Sequence, residues 1–496
     1  MYRHDQNQLE FENFYLPFGG KLRSDNRWVK LAKLIPWAEF EISYAKTLKR
    51  SGVGNPAKSI QVALGALIIK ERLGTSDEET VEQIRENPYL QYFLGFKEYA
   101  DKALFHPTLF VHFRKRISKK MVCEIIESVN KKAVSQIDEP SDKDDTNSDD
   151  DAKPQNKGKL LVDATCSPAD ITFPTDLKLL NKAREKSEQI IDVLHYPHKG
   201  KMKKPRTYRK RARKDFLSVA KSKRLTKSKR RKMIRKQIGY VSRNLKTIKK
   251  LSKISSLNLL NKHQYKNLLV IHELLRQQKW MHEQHVNRIN DRIVSISQPH
   301  VRPIKRGKAH ASTEFGAKIS ASLVEGYCFL DRLDWNNYNE SGDLEDQIKA
   351  YRKRFGFYPS SVHADKIYRN RNNIKFCKDY GIRLSGPRLG RPPKLSSKKH
   401  QQQKQSRQDE IDRIPIEGKF GQAKRRFSLS RIMCKLAKTS ETAIAIIFLV
   451  MNLEKMLKVL LLFFSDCQNI ILLCLNYLKT EQNNISQLQI IDVQIK

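Results

Sequence analysis

Three carboxylates in this sequence stand where acids are unexpected. Asp163 follows the apolar run KLLV at 159–162, Asp365 follows SVHA at 361–364, and Glu417 lies within RIPIEGKFGQAKRRF at 413–427. The last stretch surrounds its one glutamate with Arg413, Lys419, Lys424, Arg425 and Arg426. A segment built only to hold an anion would do better without that glutamate. Carboxylates converging from two strand ends and a helix, ringed by cations, suit hard divalent ions. Mg²⁺ prefers a few oxygen ligands completed by water and substrate phosphate. Two such ions about 3.5–4 Å apart activate the attacking oxygen and stabilise the leaving one in phosphodiester displacement. The glutamate would then hold metal, and the cations around it would hold DNA. Taken singly, each acid has a plainer explanation. An aspartate after a strand caps a turn, and Glu417 could simply pair with Arg413.

Helical spacing places Arg413, Glu417, Gly421 and Lys424 near one face, at steps of four, four and three. Pro415 is expected in the first turn of that helix, where its missing N–H does no harm. Gly418 and Gly421 each cost a helix interior roughly 1 kcal/mol against alanine. They make sense if a nucleic-acid backbone or a sheet approaches closely.

Those acids must be positioned by a chain of 496 residues, long enough for two or three domains. Its formal net charge of +43 favours a polyanion, nucleic acid above all. The seven cysteines are scattered with no CxxC pair, which predicts reduced thiols and no zinc site. Residues 1–30 contain no apolar signal core. From Ala443 the run AIAIIFLVMNLEKMLKVLLLFF nearly reaches membrane-spanning length, but Asn452, Glu454, Lys455 and Lys458 interrupt it. Each charge at mid-bilayer would cost about 2.5–3.5 kcal/mol, so a buried helix and no membrane partner are expected.

Composition breaks the chain into parts. Residues 1–135 read as an all-α N-terminal domain: SIQVALGALIIKERLG (59–74) stops at a glycine, and SDEE (76–79) supplies a capping box for the next helix. A third helix, TLFVHFRKRISKK (108–120), has a basic end with Arg114, Lys115 and Arg116. The set suggests a helix-turn-helix-like DNA-binding module or, equally, a plain bundle with a basic edge. Residues 136–157 are an acidic linker read as disordered. Residues 158–464 alternate strands and helices around a mixed sheet, an α/β pattern. Within it, 175–300 form a basic helical insertion. Between 201 and 250, 23 Lys and Arg face one acid, Asp215, about half the chain's whole excess of +43. Such helices track phosphates with salt-dependent, largely sequence-blind affinity. Residues 387–408 read as flexible, and GRP at 390–392 offers Arg391 either as an AT-hook-like minor-groove contact or as part of a plain loop. The HxxH pairs at His195/His198 and His282/His285 lack supporting ligands and read as surface histidines. No P-loop is present.

The wording of the motifs adds more. DATCSPADITFPTD around Asp163, FGFYPSSVHADKIYRNRNN around Asp365, and RIPIEGKFGQAKRRFSLSRIMCKLAKTSETAIAIIFLVMNLEK around Glu417 resemble the DDE transposases of bacterial insertion sequences, closest to the IS5/IS1182-like group. Residues 11–120 also resemble that group's N-terminal domain. The resemblance implies an RNase H-like catalytic core, a mixed sheet with flanking helices, using two Mg²⁺ ions with Mn²⁺ as a substitute. It implies hydrolytic cleavage at the element's terminal repeats and attack of the freed 3′-hydroxyl on target DNA. Carried over by position, Asp163, Asp365 and Glu417 are the metal-binding triad. Lys424, in an E-x6-K relation, contacts DNA near the scissile phosphate, and Arg413, in R-x3-E, supports the same site. Relatives often carry a tyrosine three positions before that arginine; here it is Glu410. Partners would be the terminal repeats, target DNA and a second copy of the chain in a synaptic complex. The setting would be bacterial cytoplasm, associated with the nucleoid. Two alternatives stay open: a catalytically inactive transposase-derived DNA-binding protein, or a metal-dependent DNA nuclease. The tail 465–496 is atypical and fits none of these readings specifically.

Overall fold

A computed structural model describes residues 14–16, 19–48, 56–135, 155–222, 224, 226–305, 313–386 and 396–462. Residues 136–154 of the expected linker, Arg391 and the expected tail 465–496 lie outside the described residues.

The first part is helical: α1 Arg27–Leu34, α2 Trp37–Ala45, α3 Ile60–Leu73, α4 Asp77–Glu86, α5 Pro88–Phe93, α6 Leu109–Arg116 and α7 Lys119–Ser135. The expected stop at Gly74 is real: it sits at φ 70°, a left-handed cap that glycine adopts without strain. Ser76 accepts the Glu79 N–H at 3.0 Å, while the Glu79 carboxylate accepts from Gln83 instead of closing the box. The helix expected over 108–120 is two helices. Ile117 is extended and Ser118 caps α7 by accepting the Met121 N–H.

The sheet runs β2-β3-β1-β5-β6, with β4 also on β3. Its strands are β1 Lys159–Pro168, β2 Arg302–Lys305, β3 Thr313–Val324, β4 Tyr327–Asp334, β5 Ser361–His363 and β6 Arg383–Leu384. β1 is antiparallel to β3 and parallel to β5, which makes the sheet mixed. Leu160, Leu161 and Val162 are all buried, so β1 is covered on both faces, as its unbroken apolar run requires. β1 is longer than expected and Asp163 lies inside it, because its ladder with β3 continues to Pro168↔Gly316. Gly316 permits this: a Cβ there would lie 2.0 Å from the Ser167 carbonyl oxygen.

Between β1 and β2 the chain inserts α8 Asp176–His195, α9 Arg209–Ala220, α10 Lys227–Leu251 and α11 Lys262–Glu283. These helices close over an apolar core of their own, including Leu180, Ile191, Val241, Ile271 and Leu274. His195 is not a surface residue; it is 7% exposed and its Nε2 meets the Met202 carbonyl at 2.9 Å, while His198 meets Ser255 at 2.8 Å.

After the sheet come α12 Leu344–Phe355, α13 Arg371–Asp379 and the long α14 Ser396–Arg426. Residues 396–408, expected as a flexible segment, are the first turns of α14. Pro415 is therefore internal, and the Ile411 carbonyl loses its helical donor. A final helix, α15, spans 437–462. No described helix is long and apolar enough to cross a membrane. The polar residues that interrupt α15 are satisfied by protein. Buried Asn452 accepts the Cys328 N–H at 2.9 Å and donates to its carbonyl at 2.7 Å. Glu454 binds Arg72 of α3 and Arg426 of α14, Lys455 reaches the Glu325 carbonyl, and Lys458 is exposed.

One apolar core joins α1–α7 to the sheet and α15. Arg354 of α12 reinforces the junction, holding Glu127 of α7 at 2.7 Å and Asp331 of β4 at 3.1 Å. No disulfide forms among the described residues.

Candidate active site

The parallel register explains how two distant aspartates meet. The last paired rung of β1 and β5 is Leu161↔His363. Asp163 and Asp365 each lie two residues beyond it, so equal steps along neighbouring parallel strands bring them to the same end of the pair. Asp163 remains in its ladder with β3, opposite Ala321, but β5 has ended and its flank opens into a cavity. Asp365 turns away from the sheet as the cap of a short 3-10 turn, accepting the Lys366 N–H at 2.7 Å.

Glu417 arrives on α14, which is anchored by two kinds of contact. Asp409 binds Arg383 of β6 at 2.7 Å, and Asp412 binds Lys159 of β1 at 3.0 Å. The apolar row Ile416, Phe420, Ala423 and Phe427, at helical spacing, is buried. The neighbouring row Arg413, Glu417, Gly421 and Lys424 lines the cavity, as its spacing predicts. An added Cβ at Gly418 would meet nothing within 4 Å, so no sheet strand demands that glycine.

The cavity measures about 870 Å³ and brings together Asp163, Asp365, Glu417, Arg413 and Lys424. The Arg413 guanidinium bridges two of the acids, Asp365 at 3.1 Å and Glu417 at 2.7 Å. Burial pushes the Asp163 carboxyl up to about 6; the hydrogen bond it accepts from the Ala164 N–H and the charge of Arg413 oppose the rise, and Glu417 and Asp365 add to it. Burial is thus the main force against its ionised form.

The other proposed DNA contacts among the described residues lie outside this cavity. Arg426 is held by Glu454 at 2.9 Å, and Lys419 stands near Cys328 and Lys455. Arg425 is exposed. Arg114 is held by Asp77 at 3.1 Å, Arg116 interacts with Tyr44, and Lys115 is exposed. Glu410 is exposed and does not line the cavity.

The opposite wall holds residues with no sequence signal, Lys318 on β3 and the loop 337–340. Lys318 binds Glu340 and donates to the Tyr338 carbonyl at 2.7 Å, and Arg332 stacks 3.8 Å from the Tyr338 ring centre. Only the β1–β3 register brings Lys318 near, opposite Cys166. Sequence patterning carries no trace of that register.

With this geometry in view, comparison with known proteins is informative. Residues 362–454, which contain Asp365 and Glu417, match the family described as Transposase DDE domain. Residues 17–116 match Transposase domain (DUF772). A Rhizobium meliloti protein, described as uncharacterized protein ORF8 in the nfe locus, is 32% identical over 155 residues, 31% of this chain and 68% of that protein. No solved structure matches. The class is a transposase built on a mixed α/β fold. The chain belongs to the DDE transposases, in the group typified by IS1182-like insertion sequences.

DDE transposases use divalent metal ions, and the donor set can be tested against that need. Four carboxylates line one cavity with room for water and phosphate; Glu340 is held by Lys318, which leaves Asp163, Asp365 and Glu417 beside Arg413. Among the described residues no three potential ligands are gathered into a ready chelate, and Arg413 pairs with both Asp365 and Glu417. The donors fit in kind and number, with Arg413 standing as their counter-charge.

Proposed function

We propose that the protein is a Mg²⁺-dependent transposase with an RNase H-like core, cutting DNA at insertion-sequence ends and joining the freed ends to target DNA. The reading is carried by one observation: an acid from each of three separate motifs lines the same cavity as Arg413 and Lys424. Asp163, Asp365 and Glu417 would hold Mg²⁺, or Mn²⁺ in its place. The metal would supply activation of the attacking oxygen and charge for the leaving one.

The chain's own residues do the remaining work. Arg413 neutralises Asp365 and Glu417 until DNA arrives, then offers its planar fork to a phosphate. Lys424, one turn beyond Gly421 on the cavity-facing row, holds the strand beside the scissile bond. The open surface at Gly418 lets the DNA backbone approach α14. Lys305 borders the cavity on the other side, where Lys318 is neutralised by Glu340.

By this reading residues 1–135 form the end-recognition part, 158–464 the catalytic part with the insertion at 175–300, and 136–157 the link between them. Synapsis of two ends calls for at least a dimer, acting in bacterial cytoplasm at the nucleoid. The test mixes the full chain with Mg²⁺ and duplex DNA carrying its own element's ends. Cleavage leaving a 3′-hydroxyl at the terminus, lost in Glu417→Ala, is the expected result. Binding without cleavage would favour a DNA-binding protein that no longer cuts, and nicking without end joining would favour a nuclease.

A further inference from the structure

The insertion contains a second groove, apart from the carboxylate cavity. It lies along α10 and the start of α9 and encloses about 670 Å³. Six cations line it: Arg211, Lys232, Arg235, Lys236, Arg243 and Lys246. No carboxylate does. Asp215, the one acid between 201 and 250, is turned to structural use behind the wall. It accepts from Lys236 at 3.2 Å and from the Tyr240 hydroxyl at 2.9 Å. Among the described residues the other five cations form no ion pair. All five are exposed.

Two features separate this groove from an ordinary solvated basic face. Arg243 is held between two rings, 4.8 Å from the Tyr208 centre and 4.9 Å from the Tyr240 centre. Tyr208 is held at φ 56°, a left-handed conformation uncommon for a residue with a bulky side chain. A planar cation is therefore fixed in place, not left mobile in solvent. Gly239 lines the groove midway along α10, and a Cβ there would meet nothing within 4 Å. The groove floor is thus open where a side chain would narrow it.

We infer that this groove binds the sugar-phosphate backbone of duplex DNA, without regard to sequence. The row from Lys232 to Lys246 spans 14 helical steps, about 21 Å at 1.5 Å per residue. Duplex DNA presents one charge per about 1.7 Å of axis, so a row of that length meets several phosphates. Tyr240 is buried and Arg243 packs on Tyr208, so the groove offers little aromatic surface for unpaired bases to stack on. Single strands are usually held by such stacking, so the chemistry selects duplex. The inference rests on the transposase reading only for the identity of the polyanion. It makes the insertion a second DNA-holding surface, separate from the chemistry.

The test is fluorescence anisotropy of the full chain with a duplex of arbitrary sequence that lacks any element end, over a range of salt. Each phosphate contact contributes about 0.9 to the slope of log affinity against log salt. The triple variant Arg211→Gln, Arg235→Gln, Lys246→Gln is expected to lower that slope by about 2.7, three contacts' worth. Lys253→Gln, Lys262→Gln, Lys279→Gln removes equal charge from exposed positions outside the groove and is expected to leave the slope unchanged. An equal fall in both variants, or none in the first, would overturn the proposal. Equal affinity for a single strand of the same length, or binding to anionic phospholipid vesicles in place of duplex, would overturn it too. Circular dichroism checks that both variants remain folded. Arg243→Lys, which keeps charge but not the stacked plane, provides a second arm and is expected to weaken duplex binding. The element-end cleavage assay runs in parallel. Duplex binding with the expected slopes but no cleavage would sink the transposase reading and leave the groove standing.

Discussion

At the scale of residues, Arg413 is the hinge of the account. It bridges Asp365 and Glu417 while partly open to solvent, and exposed pairs of this kind add little stability. Arg413→Gln is therefore expected to leave the thermal midpoint nearly unchanged and to slow end cleavage by about 10²–10³-fold, the usual loss when one charge-stabilising donor is removed. Arg413→Lys should not restore the rate, because a point charge cannot reproduce a planar fork. Rates near normal in the lysine variant would deny the bridging role. His300 gives a separate expectation. Its ring packs edge-on against Trp335 with centres 4.4 Å apart. Burial first, then Lys266 and Arg302, push its pKa down to about 4. As pH falls below the ordinary histidine value, the unfolded chain takes up the proton before the folded chain does. Stability present above about pH 6.5 is thus lost progressively towards pH 4. His300→Phe should flatten that part of the pH–stability curve, read by thermal melts across the same range. At this scale part of the cavity lining is legible in the sequence. Motif wording and helical spacing single out Asp163, Asp365, Glu417, Arg413 and Lys424, and these line one cavity. Lys318 and Tyr338 carry no such signal, because only strand register and loop folding bring them to the cavity.

Elements position these residues, and two of them make testable demands. α15 is fixed on β4 by Asn452, whose amide satisfies both backbone groups of Cys328. Asn452→Leu keeps the volume and orphans the Cys328 N–H, at about 1–3 kcal/mol, while the Cys328 carbonyl keeps its bond from Asn130 at 3.1 Å. Urea unfolding should show a loss of that order, and a loss below half a kilocalorie would mean that the N–H finds another partner. α14 carries Pro415 in its interior, where proline costs roughly 3 kcal/mol or more. Pro415→Ala should raise the urea midpoint measurably; an unchanged midpoint would show that the missing hydrogen bond to the Ile411 carbonyl is offset by its surroundings. Helix ends were well marked in sequence, as Ser76 and Gly74 show, because capping is local chemistry. Residues 396–408 read as flexible in sequence because KKHQQQKQSRQ has no apolar face; they are helical, and Asp409 and Asp412 grip the sheet just beyond them. β1 was read too short because its second half, ATCSP, is polar in type yet buried through pairing with β3.

At the scale of the whole molecule, two large cores divide the described residues, with a small third cluster of Ala169, Val294 and Val301 between the insertion's end and the sheet. One joins α1–α7, the sheet and α15, and the other lies within the insertion. Calorimetry should resolve the insertion's unfolding from that of the larger core, and hydrogen exchange should show α8–α11 opening without the sheet. A single coincident transition would mean that the two cores cooperate. The continuity between N-terminal helices and sheet was not legible, since burial across chain segments leaves no local pattern. The charge division was legible, since it needs only counting. The central claim is also a statement about the whole chain: acids from residues 163, 365 and 417 share one metal site. Iron-mediated backbone cleavage tests it most directly, with Fe²⁺ in place of Mg²⁺, and with ascorbate and peroxide generating radicals at the bound metal. The account predicts breaks close to all three positions in one protein, suppressed together by excess Mg²⁺. Breaks confined to one position, or breaks elsewhere that Mg²⁺ does not suppress, would contradict it.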